Sequence, residues 1–294
     1  MTGSEQRDFI FGLAGDDILS GGIDADVMIG GSGNDSYEVD NINDVVFESP
    51  GEGVDKVFAY VNFKLPDNVE NLIMIYGNQV YGYGNASDNF IVGNAQANVI
   101  EGRDGNDRLE GGAGHDVLLG GTGADSMAGG TGNDEYEVDN VNDTVFERAG
   151  EGTADKVYAY VDYTLPTNVE NLIMTYGIQR FGTGNEGDNI IFGNAQGNVI
   201  RGGAGYDTLT GGAGSDLFVV NPNFGVDVIT DFVAGAGTED AILFSTALFT
   251  SFSQIIANAA QIGADTWIGD GHGNTVVLTG VLIGNLHPDD FGFV

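Results

Sequence analysis

Between Gly102 and Glu137 the chain repeats itself every nine residues, as GRDGNDRLE, GGAGHDVLL, GGTGADSMA and GGTGNDEYE. Each unit opens on Gly, carries Gly at its fourth place and Asp at its sixth, and sets a bulky apolar residue at its eighth. Glycine enters the positive-φ region without steric penalty, so G-G-x-G bends the backbone sharply and turns carbonyls inward. The three residues after each Asp read as a short strand whose middle side chain points inside. Turn, strand, turn, strand closes one coil of a right-handed parallel roll every two units. The expected fold class is therefore all-β, a parallel β-roll or β-solenoid.

The same spacing sets the chemistry. Loops two units apart stack on one edge of the roll, about 4.8 Å from each other. Asp107 then lies over Asp125, and Asp116 over Asp134. Carboxylates that close repel unless a cation sits between them. Carboxylate and carbonyl oxygens are hard ligands, and a flexible ring of about six to eight of them suits Ca²⁺ better than Mg²⁺.

Two further blocks carry the pattern. Units starting at Gly3, Gly12, Gly21 and Gly30 bring Asp8, Asp17, Asp26 and Asp35, with Ile10, Leu19, Met28 and Tyr37 inward. Units starting at Gly184, Gly193, Gly202 and Gly211 bring Asn189, Asn198, Asp207 and Asp216. The central block also has two earlier units, with Asn89 and Asn98 at the sixth place. Asn offers only a neutral oxygen, so its loops are expected to be weak or half sites. Each block ends on an inward aromatic: Tyr37, Tyr136 and Phe218. These rings read as closing or simply filling the core.

This nonapeptide resembles the calcium-binding repeat of the RTX (repeats-in-toxin) family. The resemblance implies a calcium-loaded roll with several ions. It implies that one loop gives carbonyls from its second and fourth places plus its Asp. The stacked loop gives carbonyls from its first and third places plus its own Asp. Carried onto this chain, Arg103, Gly105 and Asp107 would pair with Gly120, Thr122 and Asp125. Gly112, Gly114 and Asp116 would pair with Gly129, Thr131 and Asp134, and Leu13, Gly15 and Asp17 with Gly30, Ser32 and Asp35. Asp8 faces Gly21 and Asp26 from a degenerate loop. Asn198 faces Gly211, Ala213 and Asp216, while Gly203, Gly205 and Asp207 form the last regular donor loop. Asp227, in Asp227-Val-Ile-Thr-Asp-Phe232, resembles the exit Asp that completes the final site.

The 294 residues carry a net charge of −35 with only nine Lys and Arg, so nucleic acid and anionic membrane surfaces are poor partners. Uncompensated, that charge expands a compact state, so folding is expected to wait for cations. The 49 glycines are periodic rather than low-complexity. With no Cys, disulfides, thiolate zinc sites and a Cys nucleophile are excluded. MTGSEQRDF lacks the basic and apolar regions of a signal peptide, and no apolar run reaches transmembrane length, so membrane insertion is not expected.

Taken in order, the expected parts are block 1 (1–38), an irregular β-coil insertion (39–83), block 2 (84–137), a second insertion (138–183), block 3 (184–219) and a C-terminal cap (220–294). The insertions share Asn-Val-Glu-Asn-Leu-Ile-Met, and Gly30 to Gly120 duplicates onto Gly129 to Val220. In the first insertion, Asp44–Glu48, Lys56–Leu65 and Val69–Tyr76 read as strands. They are expected to continue the solenoid as longer coils, the alternative being a small β-subdomain beside it. In the cap, Phe252, Ile255, Ile256, Ala259 and Ala260 have helical spacing, so a helix is expected over 250–262, ended by Gly263. A hairpin follows around 270–274. The terminal Asp289-Asp-Phe-Gly-Phe-Val294 resembles the uncleaved signal of type I secretion substrates, the alternative being an ordinary last strand.

No catalytic constellation emerges. His115, His272 and His287 stand in a variable loop place, a turn and beside Pro288, and neither H-E-x-x-H nor G-x-S-x-G occurs. No enzymatic activity is expected. The resemblance implies a secreted, extracellular protein of a Gram-negative bacterium, with the type I secretion apparatus as partner and folding driven by extracellular Ca²⁺. One alternative is an extracellular polysaccharide-binding or adhesin module, with Tyr60, Tyr76, Tyr81, Tyr83, Tyr160 and Tyr176 lining a sugar face. The other is a membrane-active, cation-channel-forming export, against which the lack of a long apolar segment counts.

Overall fold

Side chains at the eighth place of alternate units fall into vertical columns, and these columns are the core. The computed structural model describes residues 1–294 except Tyr76, Asn78, Tyr176, Thr238 and Glu239. Tyr76 and Tyr176 of the supposed sugar face therefore lie outside the described residues. The chain divides into two units, Met1–Gly152 and Thr153–Val294.

In the first unit, eight strands from Ile18–Ser20 to Thr144–Val145 form one sheet. Its pairings within the repeats and the first insertion are all parallel, and the register stacks Leu19, Tyr37, Val57, Leu72, Ile91, Leu109, Met127 and Val145. Facing it, Val99–Asp104, Val117–Thr122 and Glu135–Val138 stack Ile100, Leu118 and Tyr136. A third column, Ile10, Met28 and Val46, comes from Phe9–Ala14, Val27–Ser32 and Val45–Phe47. All of these side chains are buried. Each is worth about 1.5–3 kcal/mol for an aliphatic side chain taken fully out of water.

The first insertion is part of this stack. Lys56–Ala59 and Asn71–Met74 lie between Ser36–Val39 and Phe90–Val92 in the same sheet. Its coils are not uniformly longer. The hydrogen bond from the Asp35 N–H to the Asp55 carboxylate spans 20 residues, but the next, from the Asp55 N–H to the Glu70 carboxylate, spans 15. The expected strand Lys56–Leu65 is broken into Lys56–Ala59 and Phe63–Lys64, which belong to different sheets. The chain turns a corner at 60–62, and the Tyr60 N–H is the last to bond Val39.

Two second-place residues show what the turn requires. Leu13 and Arg103 stand where half of the units have Gly, and both adopt positive φ, 82° and 90°. The roll imposes the left-handed bend even on side chains that disfavour it.

In the second unit, Lys156–Ala159, Asn171–Met174, Ile190–Phe192, Thr208–Thr210, Val226–Ile229 and Thr275–Leu278 run parallel. They stack Val157, Leu172, Ile191, Leu209, Ile229 and Leu278. A second column holds Ile200, Phe218, Ile242 and Phe291. The expected helix over 250–262 is shorter, Phe252–Ala257, capped by the Ser251 hydroxyl. Ala259–Ile262 is instead a strand, antiparallel to Asp265–Gly269. Sheet pairing outcompetes the helical spacing, and Gly263 at φ 63° makes the turn between the two. Asp265–Gly269 and Thr275–Leu278 form the hairpin around 270–274. The last segment, Phe291–Phe293, pairs in parallel with Ala241–Phe244, and Phe291 stacks on Phe244 at 6.2 Å.

Candidate metal centre

The acidic rows are organised by the backbone. In each stacked loop the sixth-place carboxylate reaches back one coil, and its Oδ1 accepts the N–H of the residue beneath. Asp107 N–H donates to Asp125 at 2.8 Å, Asp116 N–H to Asp134 at 2.7 Å, and Asp17 N–H to Asp35 at 2.7 Å. Asp8 bonds Asp26, Asn89 bonds Asp107, Asn98 bonds Asp116, Asn189 bonds Asp207, and Asn198 bonds Asp216 in the same sense. A hydrogen bond to a charged acceptor contributes about 1.5–3 kcal/mol, so this ladder reinforces the vertical register set by the strand pairing.

The second carboxylate oxygen has no such use. Oδ2 of Asp17, Asp26, Asp35, Asp107, Asp116, Asp125 and Asp207, and Oδ1 of Asp227, are buried without a hydrogen-bond partner among the described residues. A bare buried anion costs several kcal/mol unless something positive meets it.

Carbonyls face the same gaps. A Cβ added at Gly102 would strike both Asp107 Oδ2 and the Gly120 carbonyl, and one at Gly111 would strike Asp116 Oδ2 and the Gly129 carbonyl. The Gly21, Gly30 and Gly211 carbonyls lie likewise against Gly3, Gly12 and Gly193. The carbonyls of Leu13, Gly15, Arg103, Gly105, Gly112, Gly114 and Gly205 lie against glycines of the stacked loop. Ser32, Thr122 and Thr131 carbonyls accept the N–H of Gly15, Gly105 and Gly114 at 2.7–3.0 Å, which leaves each a lone pair. An all-oxygen donor set with orphaned anionic members fits a hard cation such as Ca²⁺.

Burial pushes the carboxyls of Asp107 and Asp116 up to about 7, with the facing charges of Asp125 and Asp134 adding to it. Asp125 rises to about 6 by burial and then Asp143. Asp227 is raised by burial and then by Asp207.

Other expected ligands sit differently. Asp8 Oδ2 accepts the Ser4 N–H and hydroxyl at 2.5 and 2.9 Å, which lowers its pKa. Asn89, Asn98, Asn189 and Asn198 accept from their own loops at 2.7–2.8 Å. Their amide N–H groups reach the carbonyls of Val69, Gln79, Val169 and Gln179. Where Asp leaves a bare oxygen, Asn supplies a donor that the protein itself satisfies. Gly203 packs against the Asn185 carbonyl, and Ala213 N–H donates to Asn194.

Sequence reasoning missed several rungs of the ladder, among them those made by Glu70 and Glu170, which accept the N–H of Asp55 and Asp155. Asp44 and Asp143 accept the N–H of Asp26 and Asp125, both at 3.0 Å. Continuing the count by one further coil would have found them. Asp55 and Asp240 accept from Asp35 and Asp216 at separations of 20 and 24, outside any fixed period.

The RTX calcium-binding nonapeptide repeat matches four times, at residues 2–37, 83–118, 113–145 and 183–218. Two proteins of Rhizobium meliloti are similar. Endo-1,3-1,4-beta-glycanase ExsH is 44% identical over 146 residues, which is 50% of this chain and 30% of that protein. Endo-1,3-1,4-beta-glycanase EglC is 46% identical over 137 residues, 47% of this chain and 28% of that protein. The match thus spans less than a third of either relative. Among solved structures, the extracellular lipase LipA from Serratia marcescens aligns with 92% of this chain and 67% of its own, at 15% identity and a TM-score of 0.32. The expectation of no enzymatic activity is corrected by the two relatives, both named as enzymes. Its basis was the absence of familiar catalytic motifs, a test that reaches only chemistries with a short linear signature. By its four repeats and its parallel β-solenoid architecture, the chain belongs to the RTX family of calcium-binding nonapeptide-repeat proteins.

Proposed function

We propose that this chain is a secreted β-roll that is exported unfolded by a type I apparatus and folds on extracellular Ca²⁺. The observation that carries the reading is the row of buried carboxylate oxygens without partners. The ions would lie between Asp107 and Asp125, Asp116 and Asp134, and Asp17 and Asp35, with the loop carbonyls completing each shell. Blocks 1–38, 84–137 and 184–219 would be the calcium-dependent parts, and 220–294 the cap read by the exporter. Extracellular calcium modules work at about 10⁻⁴–10⁻³ M. Each site filled at a hundred times its dissociation constant adds about 2.7 kcal/mol, so several suffice to switch the chain. A calcium titration followed by circular dichroism at neutral pH tests this. A cooperative rise in β-signal near millimolar calcium is expected, and equal β-content with and without calcium would overturn the reading.

A second reading concerns the substrate. The names of the two relatives support an activity directed at β-1,3-1,4-linked glycans, in which this roll takes part. Tyr81 and Tyr83, parallel at 6.2 Å, offer a flat aromatic surface of the kind that sugar rings stack on. In calcium, the protein is expected to bind or cleave a soluble mixed-linkage β-glucan, with binding weakened by Tyr81→Ala. No retention and no release of reducing ends would sink it.

A further inference from the structure

Where the first block ends, three carboxylates meet in an arrangement unlike the nonapeptide loops. Asp35 is the sixth-place residue of the last regular unit. The coil above it takes 20 residues instead of 18, and Asp55, just before Lys56–Ala59, still takes the ladder position over Asp35. The longer coil brings a further acid to the same place, Glu48, just beyond the strand Val45–Phe47. Asp35, Glu48 and Asp55 are 1%, 3% and 1% exposed. One oxygen from each lies within 4.8 Å of the others.

Three independent features point into this gap. Asp35 Oδ2, Glu48 Oε2 and Asp55 Oδ2 are all buried without a hydrogen-bond partner. No ion pair reaches any of the three among the described residues. A Cβ added at Gly30 would come within 3.0 Å of Asp35 Oδ2, Tyr37 Oη and Glu48 Oε1, so these oxygens converge on one open point. The remaining polar atoms are already engaged. Asp55 Oδ1 accepts the Asp35 N–H at 2.7 Å, and the Tyr37 hydroxyl donates to Glu48 Oε1, fixing that side chain.

We propose that Asp35, Glu48 and Asp55 bind a hard divalent cation, Ca²⁺, in a side-chain site that closes the first block and is distinct from the site between Asp17 and Asp35, with Tyr37 positioning Glu48. Calcium–oxygen bonds of about 2.3–2.6 Å allow two ligands of one ion to stand up to about 4.6–5.2 Å apart, and the three oxygens, all within 4.8 Å of one another, fall inside that limit. The loop sites rely on one carboxylate per loop plus carbonyls, whereas this one gathers three formal charges. More ligand charge means tighter binding, so this site fills at lower calcium than the loops. The ion would tie the last regular coil to the irregular one above it. The duplication repeats part of the design within the same unit. Tyr136 donates its hydroxyl to Glu147, and a Cβ on Gly129 would meet Asp134 Oδ2 and Tyr136 Oη.

Native mass spectrometry of the full chain across a calcium titration tests the proposal. Glu48→Gln is expected to bind one ion fewer than wild type, and Glu38→Gln, an exposed neighbour, none fewer. An unchanged ion count in a folded Glu48→Gln overturns it. Crystals of the wild-type chain soaked in terbium test the site without any variant. An anomalous peak between Asp35, Glu48 and Asp55 supports it. Peaks confined to the nonapeptide loops overturn it while leaving the calcium-folded roll intact.

Discussion

Stripped of metal, the protein is expected to lose most of its sheet circular dichroism at pH 7.5 and to regain it at pH 5. Burial first, and facing carboxylates second, lift Asp107 and Asp116 to about 7, and burial lifts Glu48 to about 7 and Asp55 to about 6. Their unfolded values lie near 4. Between about pH 4 and 7 the folded chain therefore holds more protons than the unfolded one, so stability falls as pH rises through that window. At pH 5 these groups are neutral and the rows no longer repel. At pH 7.5 they are charged, and the net −35 adds a global penalty. Calcium reverses the sign. Protons then compete with the ion, so the calcium midpoint should rise as pH falls, and binding should release protons. Spectra of chelator-washed protein at the two pH values, with and without millimolar calcium, check both halves. A metal-free protein equally folded at pH 5 and 7.5 would show that the carboxylate rows carry no electrostatic strain.

The second large effect is expected from the core. Leu118 is fully buried between Ile100 and Tyr136, which are fully buried themselves. Its backbone is clamped by rungs on both sides, so neighbours cannot collapse into a void. Leu118→Ala should cost about 3 kcal/mol, within the range for buried Leu truncations. Because folding and ion uptake are coupled, the loss appears as a higher calcium midpoint. Spread over about four ions, about 3 kcal/mol raises it three- to fourfold. Val141→Ala, at an exposed turn, should stay within about 0.5 kcal/mol of wild type. Calcium titrations of the three proteins, followed by circular dichroism, decide the matter. Equal midpoints for Leu118→Ala and wild type would mean that packing of the column does not limit folding.

The nine-residue period made most of the fold legible. Once Leu19, Tyr37, Ile100 and Leu118 are assigned inward, the columns follow, because strand side chains alternate and coils stack in register. The carboxylate ladder was legible for the same reason. The coils of the insertions were not, since 20- and 15-residue turns leave no fixed offset to count. Glu48 and Asp55 were missed on that account, for their partnership with Asp35 exists only in three dimensions. Ala259–Ile262 was misread because its spacing is compatible with a helix, and only its antiparallel partner Asp265–Gly269 makes it a strand. Enzymatic relatives were missed because a motif search cannot see a chemistry that lacks a short signature.

The carboxylate ladder has a direction. At each rung the upstream coil gives the amide and the downstream coil gives the acceptor, as from Asp107 to Asp125 and from Asp125 to Asp143. Breaking a rung frees one amide and one carboxylate to water whichever coil leaves, so what differs is the face left behind. A face opened on the downstream side presents amide donors, and one opened on the upstream side presents carboxylates, so the two kinds of face are complementary in charge.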